Sequence, residues 1–482
     1  MEVDCFDNAD RAWEALRDRE YILVTVDISL VAFVTSGAVM NRKGFELLQH
    51  LRSSDYPLDP ALLIVSSYPT EKHIRDAFAE FKVHDFISKA TFDSAAFAEK
   101  ARKAILEALV RTADYRIQSR SQVTISLKED GFILAELNSP TRKARYFPSS
   151  GTFKSASYAK RADRLNLQTL AANGSWRKTA RTLGRELHTV LMSDENIAKA
   201  VIHGRNLSTR NNPAVMQFVG SGAVLGVPFE LLTDGNDYLC FENIIARGLS
   251  SDGPPTKKGE PFHEFVAQLA ESDEPFRVLL VACNSDGKIP QVDSEATAVR
   301  RHLGRSLEAL GIKPLFDDLR GPAATHKTVI ERLKSGRHHL FHYAGHGRFN
   351  DTLPEVSGLV LSDGSELHAD ELKQLLDAGN LRLAFLSCCV GARSAKDIGR
   401  GHFHGMLDAL VRADIPIVVG YRWIVSDRGA EMFATTFYEE LLQTLSPGLA
   451  LLRSRVAATS TTKGGRDNST WASPVMVCQT AP

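Results

Sequence analysis

Apolar and polar positions follow two periods along the first 110 residues, and the periods trade places at short intervals. "NADRAWEALRDRE" spaces its apolar residues as a helix does, "YILVTVDI" is an apolar run of strand length, and "GFELLQHLRSS" returns to the helical period. "ALLIVSS", "EKHIRDAFAEFK", "HDFISK" and "DSAAFAEKARKAILEALV" then read as strand, helix, strand and helix. Such alternation predicts βα units around a parallel sheet, where functional residues gather at the carboxyl ends of strands. Asp27, Ser66 and Lys89 occupy such ends.

The polar residues 113–121 read as a linker that closes a first domain at 1–112. "VTISLKEDGFILAELN" predicts a hairpin turning at Glu129, Asp130 and Gly131. The basic, aromatic stretch 142–164 reads as a solvated loop entering a helix, and a long helical pattern covers 161–203 with a break near Gly174. Residues 251–263 read as a loop. From 276 onward the α/β pattern resumes, with strands at 276–283, 338–345, 381–389 and 415–421 and helices at 293–310, 324–335, 369–378, 402–413 and 428–444.

Charge narrows the partners. Lys plus Arg number 58 and Asp plus Glu 58, so no basic field points to nucleic acid or to an anionic membrane. The apolar stretch 22–40 is broken by Asp27, Ser29, Thr35, Ser36 and Gly37, short of the roughly 20 clean apolar residues that span a bilayer. The first 20 residues lack a basic then apolar leader, and the expected location is the cytoplasm. Six cysteines lie at scattered spacing with no CxxC pair, so they read as reduced thiols, and no cofactor or metal is expected.

"HHLFHYAGHGRFND" (338–351) holds four histidines in nine positions. His342 and His346 would form an i, i+4 metal pair on a helix, but the strand-like, glycine-rich context removes that geometry. His338, His339 and His342 read as sheet residues, whereas His346 reads as a turn residue between Gly345 and Gly347. About 40 residues later "FLSCCVGA" ends another apolar strand on Cys388 and Cys389. A thiol with a pKa near 8.5 is mostly protonated at neutral pH and needs an adjacent base to become a nucleophile. Alternate strand residues face opposite ways, so only one of the two cysteines can meet His346.

Two family resemblances follow. Residues 1–110 resemble a response-regulator receiver, a flavodoxin-like domain: Asp27 matches its phosphoacceptor, Ser66 its hydroxyl position and Lys89 its lysine. The family's opening strand with two magnesium-binding carboxylates is not found ahead of Asp27, Ala90 replaces the usual proline, and the loop from Asp27 to Gly44 is long. The expectation is therefore a truncated, degenerate receiver that docks an activating protein partner rather than accepting phosphate.

"HYAGHG" followed by "LSCCVG", with "GVPFELL", "SGLVLSDGSELHADEL", "VVGYRWIVSD", "TTFYEELL" and "WASPVMV", resembles the CHAT family of caspase-like cysteine peptidases, over roughly 170–482. The resemblance implies a caspase-like α/β/α sandwich, with 122–275 its non-catalytic part and 276–482 its catalytic part. It implies His346 as general base, Cys389 as nucleophile, and the backbone N–H groups of Gly347 and Cys389 as oxyanion donors. It also implies a specificity loop at "YRWIVSDRGAE", with Trp423 as an apolar wall and Asp427 as receiver of a basic side chain; Arg422 could neutralise Asp427 or select an acidic side chain. Alternatively Asp427 caps the helix starting near Arg428. The expected function is cleavage of a specific protein, with a pore-forming or effector protein encoded nearby as the family's usual kind of target in bacterial antiviral defence or programmed cell death. Loop 251–263 would be the point of any activating cut. The competing expectation is a scaffold built from a degenerate receiver and a pseudo-protease.

Overall fold

A computed structural model of the chain describes residues 4–479 except 8, 20, 28–42, 53–59, 68–70, 150–151, 170–174, 221, 250–259, 288, 290, 349–356, 377–379, 390–414, 462–464 and 466–467. The N-terminal unit comprises α1 (Ala9–Asp18), β1 (Leu23–Val26), α2 (Lys43–Leu51), β2 (Ala61–Ser66), α3 (Glu71–Phe81), β3 (Asp85–Ser88) and α4 (Ser94–Ser119). Its strands pair in parallel in the order β1-β2-β3. Strand alternation splits β2 between two faces: Leu62 and Ile64 pack with Leu16, Leu47 and Leu48, while Ala61 and Leu63 pack with Ala101, Ala104 and Ala108 of α4.

Helix α4 corrects the expected linker at 113–121. It starts on Asp93, whose carboxylate accepts from the Ala96 N–H at 2.7 Å, and continues to Ser119. Its early alanines cover the small sheet, and Leu106, Leu109 and Ala113 enter the larger core. The polar look of 111–121 is the solvated side of a helix shared by two cores, with Ala113 and Arg116 buried on the other side.

The larger unit contains β4 (Gln122–Lys128), β5 (Gly131–Asn138), β6 (Lys143–Tyr146), α5 (Ser155–Thr169), α6 (Ser175–Ser193), α7 (Glu195–Asn206), β7 (Val215–Gly220) and β8 (Ile244–Leu249). It continues with α8 (Phe262–Ser272), β9 (Phe276–Ala282), α9 (Val292–Ala309), β10 (Pro314–Arg320), α10 (His326–Lys334), β11 (Leu340–Arg348), β12 (Gly358–Val360), β13 (Glu366–His368) and α11 (Ala369–Leu376). It closes with β14 (Leu383–Cys389), β15 (Ile417–Tyr421), α12 (Asp427–Thr444), α13 (Pro447–Thr461) and β16 (Pro474–Cys478). One sheet runs β10-β9-β11-β14-β15-β16-β8-β7-β4-β5-β6, parallel from β10 to β15. Residues on either side of position 276 contribute strands to it, joined where β16 pairs with β8.

Helices cover both faces of this sheet, giving an α/β/α sandwich. On one face Leu340, Ala344, Leu383 and Phe385 pack with residues of α9 and α12. On the other Phe341, Tyr343, Ala384, Leu386 and Cys388 pack with α10 and α11. Glu230 of the "GVPFELL" segment is fully buried and pairs with the guanidinium of Arg247 on β8, Nη2 to Oε2 at 2.8 Å. Burial opposes its ionisation, but Arg247, Arg455 and Arg422 together hold the carboxyl below its ordinary value.

Candidate active site

The parallel pairing of β11 and β14 sets the site. In register, His346 lies opposite Cys389 and Gly345 opposite Cys388. Even positions of β11 share the α9 and α12 face with Leu383 and Phe385 of β14. Cys388 falls on the other face, fully buried in the core with Tyr343.

The expectation that His346 sits in a turn is corrected: β11 continues through Gly345 and His346 to Arg348. Gly345 serves a close contact instead. The Tyr343 hydroxyl shares its one proton between the carbonyls of His346, at 2.8 Å, and Val360, at 2.7 Å. A Cβ on Gly345 would stand 2.4 Å from that oxygen, so only glycine lets the tyrosine fasten the strand end. Because the strand stays extended, His342 and His346 do share a face, yet their Cα atoms are about 13 Å apart, too far to hold one ion.

The other histidines are spent on structure. His342 is fully buried, its Nδ1 2.9 Å from the Tyr438 hydroxyl and its Nε2 3.3 Å from Glu295. His338 Nε2 lies 2.7 Å from Asp317. His339 accepts from the Arg277 N–H at 3.2 Å and stands edge-on to Phe265 and Phe276. Burial, then the charges of Arg382, Arg277 and His338, pushes its pKa down to about 4, which leaves it neutral.

His346 stands at the rim, its side chain 11% exposed, with two carboxylates toward it. Asp286 Oδ1, from the turn after β9, is 2.9 Å from His346 Nε2. Asp427, the first residue of α12, is near enough for the histidine's charge to act on it. Burial raises the Asp427 pKa above its ordinary value, opposed by a backbone hydrogen bond and by His346. Burial pushes the Cys283 thiol up to about 11 and those of Cys240 and Cys478 up to about 12, which makes them poor nucleophiles.

Residues 181–479 match the CHAT domain. The chain belongs to the CHAT domain family. Among solved structures, a chain of the Saccharomyces cerevisiae separase–securin complex is 13% identical over 80% of this chain and 31% of that one, with a TM-score of 0.40. A protein of Geobacter sulfurreducens is 16% identical over 36% of this chain and 83% of that one, with a TM-score of 0.23. The chain thus spans 31% of the length of the yeast chain. No curated protein matches the sequence.

Within the CHAT domain the expected specificity loop is partly corrected. Trp423 is fully buried, its indole N–H donating to the Ala162 carbonyl at 2.8 Å and its ring edge-on to Trp176, so it is core rather than an open wall. Arg422 is buried too and donates to the Gly226 carbonyl. Burial lowers its pKa to about 10, and the carboxylates that act on it are Asp163 and Glu230, not Asp427. Nor does Asp427 cap the helix: Ser426 does, accepting from the Gly429 N–H at 3.2 Å. Gly347 pairs with Leu359 of β12, at the edge of the site.

Outside the CHAT domain, Asp27 and Lys89 are brought together at the carboxyl end of the small sheet, Nζ to Oδ2 at 2.6 Å, and buried Ser66 ends the strand between them. Of the expected processing loop 251–263, residues 251–259 lie outside the described residues and Phe262 and His263 begin α8; residues 390–391 after the cysteine and the helix expected at 402–413 also lie outside them. Among the described residues no helix is long and apolar enough to cross a membrane. Sequence reasoning missed Asp286; the signal was an acidic residue in "NSDG", just past the carboxyl end of a predicted strand.

Proposed function

We propose that this protein is a cysteine endopeptidase in which His346 and Cys389 form the catalytic dyad. The observation that carries the reading is their in-register pairing at the carboxyl ends of adjacent parallel strands. His346 takes the thiol proton as sulfur attacks the scissile carbonyl carbon, and the backbone N–H groups of Gly347 and Cys389 receive the developing oxyanion. The imidazolium then protonates the leaving amine, and water releases the acyl group from the thioester. Asp427 is the candidate receiver of a basic residue before the cut, because a half-buried carboxylate pairs best with a guanidinium.

The substrate is a protein, with a pore-forming or effector protein encoded nearby as the candidate that family resemblance favours. Residues 1–112 act as a docking module for an activating partner, in the cytoplasm. The test is incubation of the purified protein with proteins encoded beside its gene, followed by mapping of new termini. Cuts after Arg that vanish in Cys389→Ala support the reading, and cuts that persist in that variant overturn it.

A further inference from the structure

We infer that Asp286 is a positioning residue that fixes the tautomer of His346 and stabilises its protonated form. The inference rests on the reading of His346 and Cys389 as a dyad. A neutral imidazole carries one N–H. The Asp286 carboxylate, 2.9 Å from Nε2, accepts that proton's hydrogen bond and leaves the Nδ1 lone pair as the base. Once the thiol proton moves to Nδ1, both ring nitrogens donate and the carboxylate faces a cation.

The turn is built to hold this carboxylate in place. It begins where the Cys283 N–H donates to the Ala344 carbonyl at 2.8 Å, tying the turn to the histidine strand. The Asn284 side chain accepts from the Ile289 N–H at 3.1 Å, closing the loop, and Gly287 takes the left-handed φ of 72° that the bend requires. Among the described residues, the charged groups toward His346 are Asp286 from this turn and Asp427 from α12. Asp427 acts on the ring through charge, whereas Asp286 is at hydrogen-bonding distance and alone can select a tautomer.

The test uses the full chain and needs no natural substrate. Iodoacetamide alkylation of Cys389 is followed from pH 5 to 10 by peptide mass spectrometry in the wild type, Asp286→Asn, Asp286→Glu and His346→Ala. Loss of the carboxylate removes the partner that favours the imidazolium, so the thiol keeps its proton to higher pH. In Asp286→Asn the alkylation profile should therefore shift upward, with a rate near neutrality about 10- to 1000-fold lower. Asp286→Glu should recover part of both. With any cleaved protein substrate, kcat should fall and KM change little. An unmoved profile in Asp286→Asn, or equal losses in the Asn and Glu variants without a shift, overturns the inference and leaves the dyad standing. Alkylation that His346→Ala does not slow overturns the dyad itself.

Discussion

Cys388 and Cys389 are chemically identical neighbours, and the fold separates them. Alternation sends 388 into the core with Tyr343 and leaves 389 in register with His346. Cys389→Ala should abolish cleavage while Cys388→Ala keeps most of it, measured as initial rates on the same substrate. His346→Ala should cost several orders of magnitude, as loss of a dyad member does. Gly345→Ala should also impair the site, since its Cβ would displace the Tyr343 hydroxyl from the His346 carbonyl. Its expected cost is about 1–3 kcal/mol in urea unfolding together with loss of activity; an unchanged midpoint would refute the fastening role. The proposed dyad came from a resemblance carried by "HYAGHG" and "LSCCVG", and the register that sets His346 opposite Cys389 came only with the structure. Asp286 was not legible, because an acidic residue beside glycine after a strand is what any tight turn looks like. Trp423 was misread for a related reason: a loop position gives no sign of whether an aromatic ring faces solvent or, as here, the Ala162 carbonyl and Trp176.

At the scale of elements, periodicity identified βα units well and ends poorly. The helical run at 93–110 extends to Ser119 because its last turns exchange one core for another, a change that polar composition hides. Strands β6, β7, β8, β10, β12, β13 and β16 went unassigned in sequence. β10 lies at the edge of the sheet with most of its residues half-exposed, and β16 is a five-residue apolar run that only its partners β15 and β8 define. The motif "GVPFELL" gains a physical reason here, since Glu230 fastens its turn to β8 through Arg247. Arg247→Met would leave a buried carboxylate without its main partner and should cost about 3–5 kcal/mol in urea unfolding. Glu230 has a depressed pKa in the folded state, so its contribution is complete above the unfolded carboxylate value of about 4.3. That contribution fades as pH falls through the lower, folded value, and acid titration of unfolding should show a smaller loss in the variant than in the wild type.

For the whole molecule, the two cores meet along α4, which lends its early alanines to the small sheet and its later residues to the larger core. Asp27 is paired with Lys89 in this unit, so a cation already occupies its carboxylate. Treatment with acetyl phosphate and Mg²⁺ should leave Asp27 unmodified by mass spectrometry; a stable aspartyl phosphate would return the unit to the class of phosphoswitches. The general architecture, a parallel α/β unit followed by an α/β/α sandwich, was legible from alternation and motif order. The continuity of one sheet from β10 to β6 was not, because strand order depends on pairings hundreds of residues apart.

The most direct test of the central claim is the relative alkylation rate of each cysteine in the native protein near pH 6.5, read peptide by peptide with exposed Cys5 as internal reference. A thiol activated by His346 should make Cys389 react at least about tenfold faster than Cys5, with the excess lost in His346→Ala. If Cys389 reacts no faster than Cys5, or equally fast without His346, the two residues are not a catalytic pair.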